Sequence, residues 1–360
     1  MQSLAILGIG TAVPPRAIRQ ADVAEIAQGL ICTTEDDAQT YRDIYAAVGV
    51  ESRHCVILDA PGGDLAGRQS FYGVADSPTT LARMRRYEAE ASDLAVEASR
   101  KALDRSAVSP DRVTHVVTVT CSGFFAPGLD VALIKRLGLR LGVERTQVGF
   151  MGCHGAINGM RVARAIVGAD TMACVLLCCT ELCSLHHQYD LDPSTIIANA
   201  LFADGAAALV GVAGESAPGA SYRVVATGST IVDDSEDVMS WRIGDHGFAM
   251  TLSAKVPKLI ARHLRPWLDG WLGSHGLRVD SVPAWAVHPG GPRILTAFSE
   301  ATGVGREGVA ASYRVLARYG NMSSPTVLFV LDGLREAGSP RPCVALAFGP
   351  GMAVEAALLH

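Results

Sequence analysis

The sequence predicts an internally duplicated α/β protein. Three observations carry that expectation. Helical and strand-like patterns alternate along the 360 residues, as in layered α/β folds. The same series of elements occurs twice. The two series also keep a near-constant offset. Val113 and Val282, in matching turns before a strand, are 169 residues apart, as are Cys174 and Cys343; Cys153 and Asn321 are 168 apart. A repeat of this length means two similar halves packed together, not a solenoid.

Taken in order, the N-terminal MQSLAILGIGTAVPP lacks a basic segment and a cleavage-like site, so it reads as a first strand. Gly8 and Gly10 invite a dinucleotide reading. A third glycine is missing and Pro14-Pro15 would interrupt the required helix, so a strand with a tight turn is preferred. Residues 91–106, ASDLAVEASRKALDRS, form an amphipathic helix. SPDRVTHVVTVTCSG is a turn and a buried strand. TQVGFMGC is a strand feeding a helix after Gly152. MACVLLCCTE and FADGAAALVGVAG are two more buried strands. The Gly/Ser/Pro-rich GESAPGASY, 214–222, divides the chain into halves 1–217 and 218–360. The second half repeats the plan: helix VPKLIARHLRPWLDGWLGSHG, strand and loop in VDSVPAWAVHPGG, turn and helix in YGNMSSPTVLFVLDGLREAG, and paired strands in PCVALAFGPGMAVEAALL.

Composition removes several function classes. A net charge of -5, with no dense basic run, disfavours nucleic acid or an anionic membrane as partner. Apolar runs such as MACVLLCC are far shorter than the ~18 residues of a membrane span. Nine cysteines, with no CxxC pair and no secretion signal, predict reduced thiols in a cytoplasmic protein. Cys174, Cys178 and Cys179 read as core residues. Cys183, His186 and His187 lack the spacing of a zinc set, so no metal is expected.

Three residues carry the chemistry. Cys153, in VGFMGCHGAINGM, stands at a strand-to-helix turn, where backbone N–H groups and the helix dipole lower a thiol pKa. Alone, it is equally well an inert core thiol. His288 ends an apolar strand before Pro-Gly-Gly, a common place for a catalytic side chain. Asn321, in RYGNMSSPTVLF, reads in isolation as a helix N-cap. The repeat changes that weighting, because it sets Asn321 opposite Cys153, and His288 opposite Cys121. A thiolate, an imidazole and an amide then converge, a set suited to acyl transfer and oxyanion stabilisation. His154 is a poor partner for Cys153, since adjacent helical residues do not face each other.

The motifs GFMGC, VHPGGPRIL, YGNMSSPTVLFVL, LFADGAAALVG and AFGPGMAVE, in this order over nearly the whole chain, resemble the type III polyketide synthases, the chalcone synthase-like family. The resemblance implies the thiolase fold, a duplicated five-layered αβαβα arrangement, and a homodimer. It implies that Cys153 carries the acyl chain as a thioester, while His288 and Asn321 bind the malonyl thioester and stabilise its enolate. Phe202 matches an aromatic gatekeeper, and Gly349 and Pro350 a loop shaping the cavity. Met250 stands where plant members have a second gatekeeper phenylalanine, and Trp241 where they have a glycine. Cys121, Cys183 and His186 replace cavity-lining threonines, and Ser323 joins the substrate-contacting set. These departures disfavour chalcone synthesis. The pattern WRIGDHGF is similar to bacterial members that extend aliphatic starters to alkylpyrones or alkylresorcinols.

The implied reaction joins an acyl-CoA starter to malonyl-CoA by repeated decarboxylative condensation, then cyclises the chain. It needs no cofactor and no carrier protein. The basic residues that the family uses on the CoA phosphates have no clear match in YRDIYAAVGVESRH, where Arg42 and Arg53 are candidates. Two alternatives remain: an initiating β-ketoacyl synthase working with acyl carrier protein, and a non-catalytic acyl-CoA binder.

Overall fold

A computed structural model describes residues 2–59, 67–74, 76–214, 217 and 219–360. The first half runs β1 (Leu4–Ala12), β2 (Ala17–Arg19), α1 (Gln20–Ile31), α2 (Glu35–Ala47), β3 (Ser52–His54) and α3 (Thr80–Ser106). It continues with β4 (His115–Thr120), α4 (Leu129–Leu137), β5 (Glu144–Gly149), α5 (Gly155–Ala169), β6 (Cys174–Leu182), α6 (Pro193–Leu201) and β7 (Asp204–Ala213). The second half opens with β8 (Tyr222–Ile231), β9 (Met239–Gly244), β10 (Gly247–Leu252) and α7 (Val256–Gly273). Then come β11 (Ala284–Val287), α8 (Pro292–Thr302), α9 (Ala310–Tyr319), α10 (Thr326–Glu336), β12 (Cys343–Gly349) and β13 (Ala353–Leu359).

Nine strands hydrogen-bond in the order β11-β12-β13-β8-β1-β7-β6-β4-β5. Outward from the β1–β8 junction the two directions match. β1-β7-β6-β4 and β8-β13-β12-β11 each make two antiparallel steps and then a parallel one. The duplication is therefore present in strand order and in strand sense. The junction itself is short, pairing Leu4–Ile6 with Tyr222–Val224.

Side-chain alternation builds the layers. Along β6, Cys174, Leu176 and Cys178 pack with Leu94 of α3 and Leu133 of α4. The intervening Val175, Leu177 and Cys179 pack with Met160 of α5 and Val327 of α10. Along β12, Cys343, Ala345 and Ala347 join that same central cluster, while Val344, Leu346 and Phe348 pack with Leu264 of α7 and Leu295 of α8. The helices α5 and α10 are thus sandwiched between the two sheet halves, giving αβαβα. Strands covered on both faces need apolar residues at nearly every position, which is why MACVLLCC is a continuous run.

Gly8 and Gly10 serve packing. A Cβ at either position would collide with the backbone of α3, at Ala102 for Gly8 and at Ala98 for Gly10. They let strand and helix approach closely. The helix expected at 91–106 starts earlier, at Thr80, where the Thr79 side chain accepts from Ala82 N at 3.3 Å. At the expected division between 217 and 218, Glu215, Ser216 and Pro218 lie outside the described residues. No described helix is long and apolar enough to cross a membrane.

Candidate active site

Cys153 is placed by a sharp turn between β5 and α5. Phe150 and Gly152 take left-handed backbone angles, φ 58 and 67, and Cys153 follows in a single 3-10 turn, Gly152–His154. Glycine is required at 152, because a Cβ there would lie 2.5 Å from Pro350 Cδ. The His154 ring likewise fills the space that a side chain at Gly349 would need. Gly349 and Pro350, expected to shape the substrate cavity, pack behind the nucleophile turn; from this loop it is Phe348 that lines the pocket. His154 points away from the thiol. Its Nδ1 lies 2.7 Å from Asn158 Oδ1, and Asn158 Nδ2 donates to Glu355 at 3.1 Å.

Asn321 is not an N-cap. Helix α10 begins at Thr326 with Pro325 before it, and Asn321 Oδ1 accepts from Ser323 N at 2.8 Å. Its backbone instead bridges to the first half: Asn321 N donates to Leu201 O at 2.8 Å, and Ala203 N to Asn321 O at 2.9 Å. Phe202 is thereby fixed beside Asn321. Buried Arg53 adds a clamp, donating to Phe202 O at 2.6 Å and also to Asn199 O and Gln20 Oε1. That engagement corrects the expectation that Arg53 meets a CoA phosphate. Arg42, on α2, is occupied with Glu35, Gln39 and Gln28.

Cys153, His288 and Asn321 line one small pocket of about 20 Å³, together with Phe202, Met239, Met250 and Phe348. Cys153 Sγ lies 4.0 Å from the Asn321 side chain. His288 is buried, and neither ring nitrogen has a partner among the described residues. Such orphaned groups are costly unless a ligand completes them. Burial pushes the Cys153 thiol up to about 11, against hydrogen bonds from Ser323 and Asn321, and pushes His288 down to about 3. This differs from the expectation that the helix start lowers the thiol pKa: desolvation is the largest influence on it. Neither charge is stable alone here. The imidazole that lines the same pocket as the thiol is that of His288.

Behind the triad lies a residue that sequence reasoning missed. Glu181, next to the last residue of β6, is fully buried. It accepts from Cys121 N, Ser122 N, Ser122 Oγ and Ser324 Oγ at 3.0, 3.0, 2.6 and 2.6 Å, with Cys121 Sγ and Thr120 Oγ1 at 3.3 Å. Burial raises its pKa, and these donors oppose the rise. The usable signal was a charged residue closing an apolar strand. Cys121 is 3.3 Å from Ser323 Oγ and turned toward Glu181, behind the lining of the pocket.

An aromatic wall closes one side. Trp241 Nε1 donates to Cys121 O at 2.8 Å. His186 stacks on Phe248 at 4.2 Å, and Trp241 meets both rings edge-on. His186 Nε2 contacts Ser122 O at 2.7 Å and Nδ1 accepts from Phe248 N at 3.0 Å. Cys183 lines the space behind Phe202 with His186 and Trp241. A much larger cavity, about 700 Å³, adjoins the Cys153 pocket through Leu201, Leu252, Gly290 and Ile294. Among the described residues no group of three His, Cys, Asp or Glu could hold a metal ion.

Comparison with known proteins agrees with this geometry. Residues 2–215 match the family profile "Chalcone and stilbene synthases, N-terminal domain", and residues 223–360 match the C-terminal domain of the same family. The chain belongs to the chalcone and stilbene synthase family. Among its relatives, a 1,3,6,8-tetrahydroxynaphthalene synthase of Streptomyces peucetius is 34% identical, over 99% of this chain and 92% of its own. An alpha-pyrone synthesis polyketide synthase-like protein of Mycobacterium tuberculosis is 33% identical over 98% and 90%. The crystal structure of PKS-I from the brown alga Ectocarpus siliculosus superposes with a TM-score of 0.94 at 31% identity, covering 100% and 98%. The chain is a type III polyketide synthase with the thiolase fold. It is an acyltransferase of the decarboxylative Claisen type, working on CoA thioesters with no further cofactor.

One prediction follows from the buried neutral pair. In His288→Gln the thiol keeps its burial-raised pKa and loses its proton acceptor. Alkylation of Cys153 by iodoacetamide at pH 7 should slow at least tenfold, as read by intact-protein mass spectrometry. An unchanged rate would remove His288 from the pair.

Proposed function

We propose that this synthase loads an aliphatic acyl-CoA on Cys153 and extends it with malonyl-CoA, held for decarboxylation by His288 and Asn321. The observation carrying this reading is the pocket in which the three side chains meet with both His288 nitrogens unpartnered. Loss of CO2 places charge on the thioester oxygen. Two fixed donors in a water-poor pocket lower that barrier, because they cost no reorganisation during reaction. The enolate carbon then attacks the Cys153 thioester, and the leaving thiolate is protonated in the same pocket. The chain cyclises to a pyrone, resorcinol or related ring, and no carrier protein takes part. The Met250 side chain, flexible and unbranched, supports an aliphatic starter over a flat aromatic one.

The 700 Å³ cavity supplies the route for the pantetheine arm. Arg293, at the start of α8, lines it and has no partner among the described residues. It takes the place of the missing basic residues as the cation for the CoA phosphates. A homodimer forms on the edge strand β5, whose residues are exposed along nearly their whole length. Such an edge is a template for pairing with a second copy, and the neighbouring Met151 is 37% exposed.

Cys153→Ala should abolish condensation while retaining malonyl-CoA decarboxylation, since His288 and Asn321 remain. Asn321→Ala should lower decarboxylation by about 10²–10³-fold, the usual cost of one oxyanion donor. Product analysis by mass spectrometry checks both, and wild-type activity in Asn321→Ala would remove that residue from the site. Arg293→Glu should raise KM for malonyl-CoA at least tenfold, a charged hydrogen bond contributing about 1.5–3 kcal/mol. The same variant should leave N-acetylcysteamine thioesters, which lack the phosphates, unaffected; equal losses with both would refute the phosphate role. Light scattering should give twice the 37.8 kDa chain mass, and a monomer at micromolar concentration would dismiss the β5 interface.

A further inference from the structure

His154 and His288 are both buried near Cys153, and only His288 lines its pocket. A buried polar ring is costly unless hydrogen bonds are arranged for it. At His154 a chain of side chains arranges them. Its Nδ1 lies 2.7 Å from Asn158 Oδ1, one turn further along the chain. Asn158 Nδ2 donates to Glu355 Oε1 at 3.1 Å. Glu355 stands in the buried strand β13, where Ser229 Oγ also donates to it at 2.8 Å and Arg161 pairs with it.

This chain has one polarity. The Glu355 carboxylate, paired with Arg161, accepts and cannot donate, so Asn158 turns its NH2 to Glu355 and its oxygen to His154. That oxygen requires the hydrogen on His154 Nδ1. Burial holds the ring below the usual histidine range, so it carries this one hydrogen and stays neutral. The other edge of the ring rests on Gly349, where a Cβ would lie 2.3 Å from its Cδ2 and 2.7 Å from its Nε2. On the opposite flank of Cys153, Gly152 meets Pro350 in the same way. Both neighbours of the nucleophile are thus seated on the turn between β12 and β13. The contact of the thiol with the Asn321 side chain is long, 4.0 Å, and holds it less firmly than the backbone of its own turn does. His288 and Asn321 are placed from elsewhere. His288 N donates to Leu346 O at 2.7 Å, and Asn321 is bonded to Leu201 and Ala203.

We propose that His154 is a positioning residue for the nucleophile: the chain from Glu355 through Asn158 fixes its ring, and the ring fixes where Cys153 presents its sulfur. The proposal rests on the reading of Cys153 as acyl carrier given above and adds a residue to it. It divides the work of the pocket in two. Steps that use the thiol depend on the chain. Decarboxylation of malonyl-CoA, which uses His288 and Asn321, does not. Misplacing a reacting atom by about 1 Å costs on the order of a hundredfold in rate, so a relaxed turn is read directly in the loading step.

The test measures two rates on the same protein. Formation of acyl-Cys153 is followed by quenched-flow mass spectrometry with whichever of acetyl-, hexanoyl- and dodecanoyl-CoA loads fastest. Decarboxylation of malonyl-CoA is followed by release of acetyl-CoA. His154→Phe keeps a ring over Gly349 and removes the donor. Loading should slow at least tenfold, with decarboxylation within about twofold of the unaltered enzyme. This variant leaves Asn158 Oδ1 without its donor. The double variant His154→Phe/Asn158→Leu removes that orphan, so it should recover the melting temperature without recovering the loading rate. Asn158→Ala keeps the ring, cuts the chain at its middle, and serves should the aromatic variants fail to fold. Loading at the original rate in a folded variant, or loading that recovers together with stability in the double variant, overturns the positioning role and leaves Cys153 as acyl carrier. Equal losses of loading and decarboxylation overturn it as well. Absence of acyl-Cys153 in the unaltered enzyme overturns the acyl-carrier reading, and the positioning role with it.

Discussion

A buried carboxylate ties together the two halves of the molecule where the chemistry sits. Glu181 comes from the end of β6, its donors Cys121 and Ser122 from the loop after β4, and Ser324 from the turn carrying Asn321. All the partners described are uncharged donors. A charge in this position is tolerable only while those donors converge, since a carboxylate stripped of hydrogen bonds in an apolar interior costs many kcal/mol. The requirement therefore runs from electrostatics back to geometry. Two strand ends of one half and a turn of the other must hold their relative positions for the carboxylate to be satisfied. The amide of Asn321 inherits that precision, as does the thiol side of the pocket through Cys121 and Ser323.

Much of this was legible in the sequence, for definite reasons. Strands covered on both faces spell long apolar runs, so MACVLLCC and PCVALAF announced themselves. The constant offset between Cys174 and Cys343 exposed the duplication, and the strand order and sense reproduce it. Other features carried no periodic signature. Arg53 looks like a surface cation in sequence, yet its guanidinium is buried on the carbonyls that fix Phe202. Gly349 resembles a cavity residue, yet its lack of a side chain makes room for the ring of His154. Asn321 has the composition of a cap, but its side chain closes a turn five residues before the helix. For Arg53 and Gly349 what decides the role is a partner more than a hundred residues away, and for Asn321 it is the backbone bonds to Leu201 and Ala203, equally distant, which local pattern cannot reveal.

The energetics of the pocket oppose the charges that the reaction uses. Desolvation keeps Cys153 protonated and His288 neutral while no ligand is bound. The same desolvation strengthens every interaction with a substrate oxygen once it arrives. The site without ligand is uncharged and partly unsatisfied. Burial thus suppresses idle thiolate chemistry at Cys153.

The connectivity of the sheet bears on how the chain is made. β1 is synthesised long before its neighbours, β7 from Asp204 and β8 from Tyr222. At about 5–20 residues per second, a ribosome needs on the order of ten seconds or more to deliver them. Throughout that interval LAILGIGTA is an apolar strand with neither edge paired, a form open to association with other chains. Non-local pairing of this kind is also slow to close. Helix α3, which follows β1 in the chain and lies against Gly8 and Gly10, is the element that can cover this strand before the centre of the sheet exists.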